Sequence, residues 1–169
     1  MGFYFVGCKG LKKQDDAGEC LFPLLGADLR DGGSFMVDFT DPACPEIIAG
    51  LEVGVAYEYE RENWFSVCDT WRDYSSWVEE LVDLVGFEDV PDEHESGPFR
   101  ELILYGRFGG FIGPVASAKL VADFIEWDER ARSLGDDAFY GWYARMRKVF
   151  ECPGETGAVW CEGETCRQG

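Results

Sequence analysis

The sequence predicts an α+β fold, with an antiparallel sheet from the N-terminal part packed against about three helices. Three observations lead there. Short aromatic or β-branched segments alternate with Gly- and Asp-rich turns over residues 1–66. Apolar residues at helical spacing dominate residues 67–152, and a short apolar segment within 153–169 precedes the tail. At 169 residues the chain is expected to form a single domain over 1–169, long enough to bury roughly 70% of the surface its unfolded form exposes.

The strand candidates are Tyr4–Cys8, Ser34–Asp38 and Val53–Tyr59. In the last of these, apolar residues alternate with charged ones up to Arg61, the pattern of a strand with one buried and one wet face. The first helix is expected to start at Asp69 or Thr70, either of which can cap it, and to stop at Gly86. Trp71, Tyr74, Val78, Leu81 and Val85 would face its core. Leu102–Tyr105 reads as a short buried strand or an apolar helix edge. Pro114 suits the first turn of a second helix, running to about Ser133. Its apolar arc comprises Leu120, Val121, Phe124, Ile125, Trp127 and Ala131, with Lys119, Asp123, Glu126 and Arg130 opposite. Asp128 and Arg132, four residues apart, are placed to pair. The third helix starts at Asp136 or Asp137. It buries Phe139, Trp142, Tyr143, Met146, Val149 and Phe150, and Pro153-Gly154 ends it. Ala158–Cys161 supplies the last strand.

Charge is the most uneven property of the chain. There are 33 acidic and 15 basic residues, a formal net charge of −18. Residues 31–99 hold 18 of the acids and only two bases, Arg61 and Arg72. These carboxylates are interleaved with Trp, Tyr, Phe and Val, as on a folded acidic surface rather than a solvating tail. Such a field excludes nonspecific nucleic-acid binding and polybasic membrane attachment. The face expected to meet a basic partner comprises Glu58, Glu60, Glu62, Asp73, Glu79, Glu80, Asp83, Glu88, Asp89, Asp92 and Glu93. Trp64 and Trp77, beside these acids, are the candidates for exposed anchors, while Trp71, Trp127 and Trp142 read as core.

No signal-peptide pattern, myristoylation motif or membrane-length apolar run is visible, so the expected location is cytoplasmic. Seven cysteines in such a chain read as reduced thiols. Cys152, Cys161 and Cys166 lack the CxxC spacing of a zinc knuckle, and a fourth ligand would have to come from afar. Gly106, Gly109, Gly110 and Gly113, with Arg107, could offer backbone N–H groups to a phosphate. The order is neither GxGxxG nor a P-loop, however, and a structural turn is the plainer reading. The lone histidine, His94, lies among carboxylates, a poor setting for a neutral general base. No catalytic residue, cofactor or metal is therefore expected, and the chain reads as non-enzymatic.

Two stretches carry a family resemblance. GPFRELI at 97–103 continues into GFIGPVASAKLVADF at 110–124, and FYGWYARMRKVFE at 139–151 continues into GAV at 157–159. Together they resemble a family of small acidic uncharacterised proteins of bacterial genomes, prophages and phages. The resemblance spans roughly residues 70–160 and brings no established activity with it. It implies a phage or mobile-element setting in a bacterial host. With the acidic block, it makes an inhibitor of a bacterial defence complex the leading expectation: an anti-CRISPR-like nucleic-acid mimic that occupies a Lys/Arg-lined channel. The alternatives are a toxin-immunity protein and a small-ligand binding or sequestering protein.

Overall fold

The computed structural model describes residues 3–14, 33–37, 44–68, 70–87, 96–104 and 110–162; within these, the side chains at 3–4, 33, 61–68, 71 and 162 are not described. The fold is α+β. Strands β1 (Phe3–Lys13), β2 (Gly33–Met36), β3 (Ala56–Cys68), β4 (Gly110–Ile112) and β5 (Ala158–Glu162) form one sheet in the order β2-β3-β1-β5-β4. Every pairing is antiparallel. The last strand is thus an interior one, with Cys161 opposite Phe5 of β1 and Gly110 of β4.

The sheet curls until its two edges meet. Phe35 on β2 stacks on Phe111 of β4 with ring centroids 4.3 Å apart, and Tyr57 and Tyr59 of β3 close the same aromatic cluster from Phe35's other neighbours. A backbone bond reinforces the closure: Gly113 N–H, just after β4, donates at 2.7 Å to Ile47 O in a 3-10 turn over Pro45–Ile48. Open edges are places for unwanted pairing, and curling covers them.

The described residues also form the helices α1 (Trp71–Val85), α2 (Arg100–Leu104), α3 (Pro114–Glu126), α4 (Asp128–Ser133) and α5 (Asp137–Glu151). The Thr70 side chain caps α1 by accepting from Asp73 N–H, and Gly86, with φ 79°, ends it in the left-handed conformation that glycine adopts without strain. Asp136 caps α5, its Oδ1 accepting from Ala138 and Phe139 N–H, each at 2.9 Å. The helix core is aromatic. Phe124 meets Phe99 and Tyr143 edge-on, each at 4.9 Å, and Phe5 of β1 contacts both Tyr74 of α1 and Phe150 of α5. Gly7 lets α5 approach the sheet, since a Cβ there would sit 2.8 Å from Val149 O.

Several expectations are corrected. β1 and β3 extend well beyond the apolar segments that mark them, because cross-strand pairing carries their charged ends as a ladder. Of the two readings of Leu102–Tyr105, the structure takes the helical one for Leu102–Leu104 and not the strand, and β4 lies inside the glycine run read as a turn. The helix expected from Pro114 to Ser133 breaks at Trp127, leaving Ile125 55% exposed. Trp77 is a core residue and no exposed anchor. It lies between Tyr74 and Phe139, and α1 turns to bury this large ring while Val78 and Val85 stay half-buried. Asp123, placed on the wet side, is buried. Trp142 is half-buried and the other five expected core positions of α5 are buried. Asp128 and Arg132 do pair, at 2.9 Å.

Candidate acidic interface

Helix α1 presents its acids as a ridge. Asp73, Glu79, Glu80 and Asp83 are all exposed, while Tyr74, Trp77, Leu81 and Leu84 point inward. At 1.5 Å per residue, Asp73 and Asp83 are separated by about 15 Å along the axis. The ridge runs on past α1. Asp136 acts electrostatically on Glu80, which places the capped start of α5 beside it, and the Trp77–Phe139 contact holds the two helices together there. Asp136 and Asp137 are exposed as well. The sequence marks both only as helix-start residues, and their place on this surface depends on a tertiary contact that no local pattern encodes.

Two features set the ridge apart. First, among the described residues no Lys or Arg makes an ion pair with Glu79, Glu80 or Asp83. Second, these three acids occupy the C-terminal half of α1, whose last turn holds no base. The carbonyl end of a helix carries partial negative charge felt within its last turn, so Asp83, the acid in that turn, costs stability where a base would add it, on the order of 0.3–1 kcal/mol. Glu79 and Asp83 also repel at i, i+4 spacing. The Glu80 carboxyl is held above the ordinary carboxylate range, first by partial burial and then by the nearby charges of Asp136 and Asp83.

The remaining predicted acids fall elsewhere. Glu58 and Glu60 are exposed on β3 but stand directly opposite Lys12 and Lys9 of β1, and Gln14 Nε2 donates to Glu58 Oε1 at 2.9 Å. They belong to a mixed-charge ladder. Two further acids of the middle block are also paired with bases, Glu46 with Arg100 at 3.3 Å and Glu52 with Lys13. Glu62 lies in β3, its side chain outside the described set, and Glu88, Asp89, Asp92, Glu93 and His94 lie outside the described residues.

A second charged cluster, missed in the sequence, is internal. Lys119 Nζ donates to Gly97 O at 2.6 Å and Glu101 Oε2 at 2.7 Å and pairs with Asp123 Oδ2 at 2.9 Å. Asp123 Oδ2 also accepts from the backbone N–H of Phe99, a buried residue with φ 57°. Both carboxylates thus share one ammonium, the pairing a buried charge requires. Arg100 is likewise buried, its Nη1 facing Cys44 Sγ and Glu46. The GPFRE and AKLVAD segments are therefore used up in holding α2 against α3.

Of the zinc candidates, Cys161 is buried in the sheet, Cys152 is half-buried with its Sγ 4.0 Å from Gly7 O, and Cys166 lies outside the described residues. Among the described residues no group of three or more His, Cys, Asp or Glu side chains is arranged to hold a metal ion. Gly110 and Gly113 of the glycine run flank β4, and a Cβ at Gly113 would meet Ala49 O at 2.6 Å, so close packing alone accounts for that glycine. Gly106, Arg107 and Gly109 lie outside the described residues. No described helix is long and apolar enough to cross a membrane.

Comparison with protein-family models, curated proteins and solved structures finds no match to this chain.

Proposed function

We propose that this protein acts by binding rather than by chemistry, and that the α1 ridge docks into a basic surface that otherwise holds nucleic acid. The observation that carries this reading is the ridge's position: Glu79, Glu80 and Asp83 lie together in the C-terminal half of α1, Asp83 in its last turn, and no base pairs with them among the described residues. Folding alone disfavours that arrangement, and such local conflicts concentrate where function imposes them. A Lys/Arg-lined channel supplies the missing counter-charge. Carboxylates spaced along a helix present it with a row of negative groups like that of a phosphate backbone, and the excess charge of the whole chain steers the encounter. The resemblance to phage and prophage proteins makes a bacterial defence complex the target class, with this protein as its anti-CRISPR-like inhibitor.

The test is affinity capture from bacterial lysate with the wild type and with E79Q/E80Q/D83N, at low and at high salt. The wild type should retain a nucleic-acid-handling complex at low salt and lose it at high salt, because screening shortens the reach of charge to about 8 Å at physiological ionic strength. The triple variant should not retain it. Equal capture by both proteins would refute the assignment.

A further inference from the structure

Helix α5 carries a second surface, which shares with the acidic ridge only the acids at the helix start. Ala138, Gly141, Arg145 and Lys148 lie on one side of α5 at three- and four-residue steps, all exposed except the half-buried Gly141. Gly141 sits in the interior of this helix, where glycine is the costliest residue after proline. Packing within the chain does not call for it, since a Cβ at Gly141 would meet nothing within 4 Å. Two exposed cations follow it. In a chain with more than twice as many acids as bases, Arg145 and Lys148 make no ion pair among the described residues. The helix dipole accounts for cations near this end of α5. It does not account for the glycine.

We propose that this stripe is the interface of a two-fold symmetric dimer, in which α5 packs antiparallel against α5 of a second copy. The occupant follows from charge complementarity along the helix. The first turn of α5 is acidic, with Asp137 exposed and Asp136 and Glu80 beside it, and its second half is basic through Arg145 and Lys148. Antiparallel pairing about the middle of the stripe sets Ala138 and Asp137 of one copy near Lys148 of the other, and Gly141 near Arg145. Acid meets base at both ends at once, as an isologous contact requires. The missing side chain at Gly141 lets the two backbones approach, and the two helix dipoles oppose favourably. The pairing leaves Asp73, Glu79 and Asp83 of each copy free to face a partner.

The test is sedimentation equilibrium at physiological salt, from micromolar to sub-millimolar concentration. The wild type should pass from the monomer mass to twice that mass. R145E/K148E should stay monomeric throughout with an unchanged circular dichroism spectrum, since both side chains are exposed. Adding D137K to K148E in one chain should restore dimers, because each symmetric contact is then inverted and not lost. A wild type that remains monomeric over the whole range overturns the proposal. So does an R145E/K148E variant that dimerises as well as the wild type. Neither outcome bears on the α1 ridge, whose test is a capture experiment on other residues.

Discussion

Two clusters of acidic side chains in this molecule obey opposite rules. Around Lys119, Glu101 and Asp123 are nearly buried and each is met by the Lys119 ammonium, and Asp123 accepts a backbone N–H as well. Along α1, Glu79, Glu80 and Asp83 are exposed, close to one another and without an ion pair among the described residues. The first cluster shows how carboxylates contribute to the fold: the Lys119 pairings tie Gly97 and α2 to α3, and Asp123 satisfies the backbone of Phe99. The second shows carboxylates that the fold tolerates at a cost. The difference separates acids that hold the structure together from acids left available to a partner.

The contrast can be broken from either side. The largest effect is expected at Lys119. Replacing it with Met leaves Glu101 and Asp123 without their cation, and removing one partner of a buried pair costs about 3–5 kcal/mol. Lys119 is itself 38% exposed, so solvent screening lowers the expected loss to about 2–3 kcal/mol. Urea unfolding should show it as a lower midpoint with an unchanged slope. The ridge should respond in the opposite direction. E79Q/E80Q/D83N removes repulsion and an unfavourable dipole contact and should stabilise the fold by roughly 1 kcal/mol. Thermal unfolding should register this as a raised Tm whose gain shrinks as salt is added.

A smaller effect sharpens the comparison through pH. The folded-state pKa of Glu80 lies above its ordinary value of 4.5, so between the two values the native protein binds more protons than the unfolded chain. Stability therefore falls as pH rises through that window, and the cost of the charged form persists above it. E80Q should be more stable than the wild type at neutral pH by a few tenths of a kcal/mol. The two proteins should converge once pH falls below the ordinary carboxylate value. A difference that grew on acidification would mean that Glu80 has a stabilising partner.

How much of this was legible in the sequence follows from the range of each interaction. Thr70, Gly86, Pro114 and Asp136 mark helix ends correctly because capping is local. The α5 core could be read from periodicity for the same reason. Trp77 was misplaced because its acidic neighbours suggested an exposed face, while the contact that buries it comes from Phe139, far along the chain. Asp123 looks solvated by its position on the helix, and only Phe99 and Lys119 show why it is not. Strand β4 has no pattern of its own, since its three residues owe their conformation to pairing with β5. The ridge on α1 was visible as charge, but its extension through Asp136 and the lysines facing Glu58 and Glu60 were not, because both arise from tertiary pairing.

The most direct measurement follows stability and capture together in one protein, E79Q/E80Q/D83N. If the ridge is kept for a partner at the expense of the fold, the variant melts at a higher temperature than the wild type and no longer retains the nucleic-acid-handling complex at low salt. A variant that melts lower, or that still captures the complex, contradicts the account.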